Sequence, residues 1–417
     1  MTYQPSSVSR LVRARAVAAT VAAALLVSLA PAAQAAAAPA GATLPLGDAG
    51  LAEQRSTQTL ADGVTLTHIV RGTEPAPADQ INTTTRGPWV VNVLTIDPGK
   101  THGHLEATYG KDLAGVETTT DLVPSAGALA GVNASFFTFT ASVQYPGDPV
   151  GLGLYGGKLL SEPSGDPAEA NLVVDARDNK VVMGQLRWTG SVQNVRTRAT
   201  IPLEFINHPP VVPAACTALT DQTECTAPGD TVRFTPEFAA ATPSGAGVEV
   251  VLDRRGCVVR TSTTRGTSLT AGETSLQATG ADTVSLLSVA KGCVKQTTTL
   301  TNENGDGLPL RSGLFGVNGR YRLVADGAIV VPAGSGSFFA RNPRTIAGTT
   351  QDGKIVLATI DGRMTTSVGT TLDETAAVAK ALGLHDAINL DGGGSTAMSV
   401  RGRPDQSAER RYGASRG

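Results

Sequence analysis

The chain has 417 residues, enough for two or three domains, and combines 47 glycines with only 9 Phe, 6 Tyr and 2 Trp. An apolar fraction of 41% with 17% charged residues excludes an intrinsically disordered chain. The formal charge of −2 becomes about −5 without the leader described next, which argues against a general nucleic-acid-binding or polybasic membrane-binding role.

Residues 1–35 have the composition of a secretory signal peptide. Three arginines and no acid precede an apolar run over residues 16–30, and Ala33-Gln34-Ala35 offers small residues for cleavage. An apolar run of about 15 residues is short for a bilayer span, so an N-terminal anchor is the weaker alternative. We expect a secreted mature chain that begins near Ala36 and has no stable membrane anchor.

Strand patterns dominate the chain that follows. Residues 63–70 alternate apolar and polar side chains, residues 89–96 form a β-branched run, and residues 129–137 have the composition of a buried strand. A short helix is expected within residues 112–130. Residues 172–300 repeat strands and turns, with strands at 248–252 and 257–263, and predict an all-β region.

The clearest helix pattern covers residues 372–382. Asp373 and Glu374 lie in its first turn and Gly383 ends it, and a strand over residues 387–390 follows directly. Few helices among many strands predict an α+β fold whose core is a mixed, mostly antiparallel β-sheet.

All four cysteines fall within one region, and an even number in an exported chain predicts two disulfides. Three connectivities are possible, and sequence order favours Cys216–Cys225 together with Cys257–Cys293. A zinc site is the weaker alternative because no C-x-x-C pair is present.

Three familiar motifs are weak here. Residues 151–156 (GLGLYG) match a dinucleotide fingerprint, but two prolines and turn residues follow where a helix should begin, so a hairpin is the better interpretation. His102 and His104 could bind a metal, but no third ligand is evident. The G-x-S-x-G motif is absent, which leaves a serine-hydrolase triad without support.

The strongest local signal is a strand that ends in Asp391, three glycines and a hydroxyl pair (residues 387–400, AINLDGGGSTAMSV). We call residues 391–395 the glycine loop. Consecutive glycines let the main chain approach a ligand closely and could expose successive N–H groups as an anion nest. Asp391 could act there as an acid, a base or a nucleophile.

A second signal lies in residues 342–363, where a hairpin turn at residues 351–354 joins two strands. The hairpin brings Arg344 and Arg363 to neighbouring strand ends, and a guanidinium suits two phosphate or carboxylate oxygens. A structural pair of Arg363 with Asp361 is an equal alternative on this pattern alone.

These segments, in this order, resemble the phosphodiester glycosidase family. The resemblance covers residues 63–400 and is carried by GVNASFF (131–137), GDPVGLGLYGGKLLSEP (147–163), VNGRYRLVADG (317–327), NPRTIAG (342–348) and INLDGGGSTA (388–397). It implies a secreted hydrolase that cleaves a sugar, N-acetylglucosamine in the type enzyme, from a sugar-1-phosphodiester, with no cofactor expected.

The same resemblance implies a set of site residues. The implied catalytic residues are Asp391, Asp361 and Glu162, with Asp391 and Asp361 as the acid/base or nucleophile pair. The implied substrate-binding residues are Asn133, Arg344, Thr345, Gly362, Arg363, Asn389, Gly392, Gly393, Gly394 and Ser395, with Arg344 on the phosphate. The separation of the two carboxylates would decide between retention and inversion.

The resemblance also divides the chain into six parts: a signal peptide (1–35), a linker (36–62), a first part of the glycosidase domain (63–190), a β-rich insert with the four cysteines (191–310), a second part with the glycine loop (311–400) and a polar tail (401–417). Family members usually close with an apolar strand where this tail is polar and basic. The expected partner is a small-molecule or glycan substrate, without nucleic acid.

Two other functions stay open. The protein could bind carbohydrate or phosphoglycan without turnover. It could instead be a metal-dependent phosphodiesterase in which Asp361 and Asp391 hold a divalent cation and the P–O bond is cut.

Overall fold

The computed structural model describes residues 2–4, 42–139, 142–401 and 403–404. Its α-helices are α1 (Thr119–Ser125), α2 (Asp282–Val289) and α3 (Leu372–Ala381). Its strands are β1 (Thr2–Gln4), β2 (Glu53–Ala61), β3 (Val64–Arg71), β4 (Trp89–Ile96), β5 (His104–Glu106), β6 (Ala130–Val132), β7 (Gly153–Tyr155), β8 (Lys158–Ser161), β9 (Glu169–Asp175), β10 (Lys180–Gly184), β11 (Leu186–Asn194), β12 (Thr200–Pro202), β13 (Phe205–Ile206), β14 (Thr231–Phe234), β15 (Val248–Leu252), β16 (Val258–Ser262), β17 (Thr274–Ala278), β18 (Val294–Asn302), β19 (Leu314–Arg320), β20 (Arg322–Ala325), β21 (Ala328–Ile329), β22 (Arg344–Thr350), β23 (Ile355–Ile360), β24 (Leu384–Asn389), β25 (Met398–Val400) and β26 (Arg403–Pro404).

An eight-stranded sheet forms the centre of the fold. Its order is β2-β3-β4-β23-β22-β24-β20-β21, and all of its ladders are antiparallel. Strand β23 is buried at every position, because protein covers both faces of the sheet. The predicted α+β fold with a mostly antiparallel core is therefore confirmed.

One face of the central sheet packs against α3. Leu372, Ala376 and Val378 of this helix contact a cluster that includes Ile346 and Ala358. The helix begins with a capping box, in which Thr371 and Glu374 each satisfy a backbone N–H of the first turn. The observed end at Ala381 agrees with the predicted helix.

The other face packs against a second sheet, of order β10-β9-β19-β7-β8. Leu172 and Val317 of that sheet share a buried cluster with Leu94, Leu357 and Ile388. The far face of the second sheet packs in turn against the predicted insert. The fold is thus layered, with α3, the central sheet, the second sheet and the insert following one another.

The insert contains two further sheets, of order β12-β11-β18 and β13-β14-β17-β15-β16. The prediction of an all-β region was wrong, because α2 lies within it and buries Leu286 and Val289 against the sheets. Its sequence, DTVSLLSV, is rich in β-branched and Ser residues, so local preference did not indicate a helix. The favoured disulfides, Cys216–Cys225 and Cys257–Cys293, are both present.

Two other predicted elements differ in extent. Residues 129–137 form only the short strand β6, because residues 133–136 turn away to contact the glycine loop and β19. Residues 151–156 do form the predicted hairpin, as β7 and β8.

Strand β1 pairs with β5 and β6, so cleavage after residue 35 would remove it from its sheet. The rest of the predicted signal peptide, residues 1 and 5–35, lies outside the described residues, as do residues 402 and 405–417 of the polar tail. In the part of the chain that is described, no helix is long and apolar enough to cross a membrane.

Candidate functional site

The glycine loop connects the central sheet to another one. It leaves β24, forms a single 3-10 turn at Gly393–Ser395, and enters β25, which pairs with β6. Glycine is required at Gly392, where a Cβ would lie 2.9 Å from the Pro343 carbonyl oxygen, and at Gly393, whose φ is +62°. The loop therefore lies tightly against the start of β22.

The predicted amide nest is not formed by this loop. The Gly392 N–H donates to the Asp391 carboxylate (2.8 Å), the Gly393 N–H to the Pro343 carbonyl (2.9 Å), and the Ser395 N–H to the Gly392 carbonyl (3.2 Å). The Asp391 N–H also has a partner, so four of the five loop amides are used inside the protein. An anion at this site has to be bound chiefly by side chains.

Asp391 lies at the base of the loop. Burial raises the pKa of its carboxyl to about 6, although hydrogen bonds from Ser395 and the Gly392 N–H oppose that shift. Its backbone is fixed on both sides, since its N–H donates to the Ala134 carbonyl (2.8 Å) and its carbonyl accepts from Asn133 Nδ2 (2.7 Å). A carboxyl group with this pKa can change its protonation state near neutral pH.

Asn133 joins three segments. Its Oδ1 accepts from Thr345 Oγ1 (2.6 Å) and from the Ala397 N–H (3.1 Å), while its Nδ2 holds the Asp391 carbonyl. The resemblance implies that Asn133 and Thr345 bind substrate. Their observed hydrogen bonds instead go to protein atoms, and these bonds fix the backbone that carries Asp391.

Two arginines flank the glycine loop. Arg344 is 3% exposed, and its guanidinium donates to the carbonyls of Phe338 (2.6 Å), Ala340 (2.8 Å) and Thr370 (3.3 Å). The exposed Arg363, at a φ of +59°, donates to Asn342 Oδ1 (2.7 Å). A Cβ on Gly393 would lie 3.2 Å from Nη2 of Arg363, so the Arg363 side chain extends along the glycine loop.

These arginines carry uncompensated charge. Within the described residues, neither Arg344 nor Arg363 forms an ion pair with a carboxylate. Burial, and then the positive charge of Arg363, lower the pKa of Arg344 to about 10, which keeps it protonated at neutral pH. The structural pair of Arg363 with Asp361, an equal alternative on the sequence alone, is not among these ion pairs of the described residues. Two neighbouring cations that pair with no carboxylate of the described residues favour binding of an anion.

Asn389 lies at the end of β24, opposite Ile346 of β22, and therefore on the same face as Arg344. Its side chain is 1% exposed, and its Oδ1 is buried with no hydrogen-bond partner. An unsatisfied buried acceptor on the same sheet face as Arg344 is an expected contact for a donor group of a ligand. This observation fits the predicted role of Asn389.

Sequence reasoning did not predict the aromatic wall of the site. Phe338 stacks 5.4 Å from the Arg344 guanidinium, and its ring lies 5.5 Å from Tyr321 and 6.2 Å from Phe136. Tyr321 has a φ of +67°, a strained value for a bulky residue, and its carbonyl accepts the Asn389 N–H (3.1 Å). The adjacent residues Phe338 and Phe339, just before β22, were the sequence signal that could have indicated this wall.

Asp361 and Gly362 follow β23, whose last residue, Ile360, is the register partner of Arg344. Asp361 is 5% exposed and is fixed through its backbone, because its carbonyl accepts from Ser367 Oγ (2.7 Å). A Cβ on Gly362 would lie only 2.7 Å from the Pro343 nitrogen. Glycine therefore allows the segment after β23 to meet the segment before β22. The structure thus brings Asp361 to the strand end beside Arg344.

Glu162 lies elsewhere. Its Oε2 accepts from the Ile206 N–H of β13 (2.8 Å), and its charged neighbours are Asp148 and His208, which form an ion pair (2.8 Å). Burial raises the pKa of Glu162 to about 7. Its hydrogen bond fastens the insert to β8, so its implied catalytic role is not supported by its contacts.

Gly394 is the exposed tip of the glycine loop, and Ser395 hydrogen-bonds to Asp391. Asp326, His385 and Asp386 form the one three-residue group of potential metal ligands found in the described chain. Neither Asp361 nor Asp391 belongs to it.

Comparison with known proteins supports the resemblance. Residues 246–415 match the model of the phosphodiester glycosidase family. This range covers the later part of the insert, α3, the glycine loop and the β22–β23 hairpin, which we call the arginine hairpin because Arg344 and Arg363 lie at its strand ends. Among curated proteins, none matches the chain.

Solved structures share the fold. A Burkholderia pseudomallei protein described as exported is 27% identical, with a TM-score of 0.72 over 88% of this chain and 96% of that one. A hypothetical protein from Synechocystis is 17% identical, with a TM-score of 0.60 over 83% and 60%. The catalytic domain of zebrafish N-acetylglucosamine-1-phosphodiester α-N-acetylglucosaminidase is 12% identical, with a TM-score of 0.37 over 84% and 80%, a likeness too distant to inform the fold.

Proposed function

We propose that this protein, identified through residues 246–415 with the phosphodiester glycosidase family, hydrolyses the glycosidic bond of sugar-1-phosphodiesters. The observation that carries the proposal is the pair Arg344 and Arg363, which lack a carboxylate partner in the described chain and flank the loop that bears Asp391. A phosphodiester supplies the missing negative charge, and Asp391 supplies a carboxylate for the anomeric carbon or for water.

In this reaction the bond between C1 of the sugar and the bridging oxygen breaks. The phosphate leaves as a monoester of the aglycone and keeps that oxygen, while the oxygen of water becomes bonded to C1. A phosphate monoester is a weak base, so it needs little protonation on leaving. Charge stabilisation by the two guanidinium groups is therefore the larger contribution at this end of the bond.

Asp391 suits the sugar end of the bond that breaks. With a pKa of about 6 it is mostly ionised at neutral pH, and an ionised carboxylate can activate water or attack C1 directly. Asp361 is the second candidate, since it follows the strand residue that pairs with Arg344. In this proposal Asn133 and Thr345 are positioning residues for Asp391.

The sugar would lie between the aromatic wall and Asn389. Phe136 and Phe338 offer apolar faces, and the unsatisfied Oδ1 of Asn389 can accept from a hydroxyl or an acetamido N–H. An N-acetylglucosamine-1-phosphodiester fulfils these requirements. We further propose that the protein is exported, which its two disulfides and its similarity to a protein described as exported support.

Release of free sugar from a panel of glycosyl-1-phosphodiesters tests the proposal, with and without chelator and in ¹⁸O-labelled water. We expect chelator-resistant release, label in the sugar, and a loss of roughly 10²- to 10⁴-fold in Asp391→Asn. Asp373→Asn, at an exposed position of α3, is the matched control. Label in the phosphate would indicate a phosphodiesterase, and binding without turnover would indicate a binding protein.

A further inference from the structure

Two cavities form a continuous groove on the insert. One has a volume of about 590 Å³ and the other of about 710 Å³, and both are lined by Gly272, Thr274 and Gln296. We call this the insert groove. It extends from Arg254 and Lys295 at one end to the β7–β8 hairpin at the other, and no residue of the glycine loop lines it.

The insert groove is cationic, although the whole chain has a formal charge of −2. Its three acidic residues are already neutralised, because Asp253 pairs with Arg255, Glu237 with Lys158, and Glu273 with Arg260. Four lining cations have no ion pair with any carboxylate in the described part of the chain. These are Lys111, Arg233, Arg254 and Lys295.

Two residues that line the groove each have a buried polar atom without a partner in the described part of the chain. Arg233 Nε and Gln296 Oε1 are buried without a hydrogen bond, although Arg233 Nη2 donates to the Leu159 carbonyl (3.1 Å). A buried donor and a buried acceptor without partners are unusual in a folded protein. Both residues are only partly buried, so the rest of each side chain can contact phosphate oxygens or hydroxyl groups of a ligand, and Tyr109 and Leu310 offer apolar surface for sugar faces.

The groove is connected to the candidate site through β8. Lys158 and Leu160 line the groove, and the next residue, Ser161, donates to the Gly151 carbonyl (2.7 Å). A Cβ on Gly151 would lie 2.9 Å from Asn318, whose side chain accepts the Phe136 N–H of the aromatic wall (2.9 Å). The contacts of the second sheet thus link the groove to the aromatic wall, whereas Arg344 and Asn389 lie in the central sheet.

We propose that the insert groove binds further repeats of a polymeric glycosyl phosphate, so that the substrate is an extended phosphoglycan rather than a single diester. The identity of the ligand rests on the proposed function, whereas the charge and the unsatisfied atoms of the groove do not. The groove has both apolar and cationic lining residues, as a chain of sugars and phosphates requires, and the negative net charge elsewhere directs a polyanion to this surface.

The test compares a fluorescent oligomer of N-acetylglucosamine 1-phosphate with the methyl diester of one unit. The double variant Arg254→Ala/Lys295→Ala is expected to bind the oligomer roughly tenfold more weakly at low salt and to hydrolyse the methyl diester like the wild type. The control Arg177→Ala/Lys180→Ala removes the same two charges from the exposed β9–β10 turn and should change neither value.

Binding is measured by fluorescence titration in the Asp391→Asn background, so it does not depend on turnover. Loss of oligomer affinity in the groove variant supports the groove even if no diester is hydrolysed, an outcome that would overturn only the proposed function. Unchanged affinity in the groove variant overturns the proposal. Equal binding of single-stranded DNA of the same charge also overturns it, because the groove would then recognise charge alone.

Discussion

Burial lowers the pKa of Arg344, and the positive charge of Arg363 lowers it further, to about 10. Arg344 is nevertheless held firmly, since three backbone carbonyls accept from its guanidinium. Repulsion between two fixed cations is relieved when an anion binds between them. This relationship leads directly to a prediction about anion binding that does not require the substrate.

Inorganic phosphate should stabilise the wild-type protein more than Arg363→Ala. A ligand at 100 times its Kd adds about 2.7 kcal/mol to the free energy of unfolding. Arg363 is exposed and bonds only the Asn342 side chain among the groups described, so its removal should leave the fold intact. The measurement is Tm against phosphate concentration, with Arg177→Ala as control. An equal Tm shift in Arg363→Ala would show that the anion binds elsewhere.

The pH dependence of kcat/KM should follow the ionisation of Asp391. Because its pKa is raised to about 6, the ionised form predominates above that pH, and kcat/KM should fall about tenfold per unit below it. The profile should be measured between pH 4 and 8 with a substrate that does not titrate in this range. Activity that rises as the pH falls would instead assign Asp391 the role of a protonated acid.

The glycine loop and the arginine hairpin could be predicted because each depends on local chemistry. Three glycines after a strand, and two arginines at the ends of a hairpin, indicate their places without any tertiary contact. The antiparallel core was equally accessible from alternating strands such as β3. Helix α3 was evident because its caps, acidic first turn and apolar spacing agree.

The remaining features depend on contacts between distant segments. Glu162 lies in the same run of residues as the β7–β8 hairpin, but its partner is Ile206 of the insert, 44 residues away. The aromatic wall combines Phe136, Tyr321 and Phe338, and no local pattern relates them. Helix α2 is stabilised by packing against the insert sheets rather than by its own sequence.

Asn133→Ala should reduce both stability and turnover. The change removes an acceptor shared by Thr345 and Ala397 and the donor that holds the Asp391 carbonyl. Loss of such partners costs about 1–3 kcal/mol in the free energy of unfolding. Because Asn133 positions Asp391 rather than the substrate, kcat should fall more than KM rises.

Urea unfolding and steady-state kinetics measure these two effects. Asn304→Ala, at an exposed position between β18 and β19, provides the control and should behave like the wild type. An increase in KM with an unchanged kcat would contradict the positioning role and return Asn133 to the substrate-binding residues that the family resemblance implies.

Glu162→Gln should keep the activity and change how stability depends on pH. The folded-state pKa of Glu162, about 7, lies above the ordinary value of 4.5, because burial disfavours its charged form. The folded protein therefore binds the extra proton between these two values, so the contribution of Glu162 to stability is greatest below pH 4.5 and decreases as the pH rises to 7. A glutamine oxygen can still accept the Ile206 N–H without carrying charge. The contribution of this site to the pH dependence should disappear in the variant, which should be the more stable protein at pH 8, as measured by Tm across this range.

Asp148 and His208 titrate in both proteins. Their effect on Tm cancels when the two proteins are compared, provided that their ion pair is unchanged. A loss of turnover of 100-fold or more in Glu162→Gln would show instead that this carboxylate takes part in catalysis.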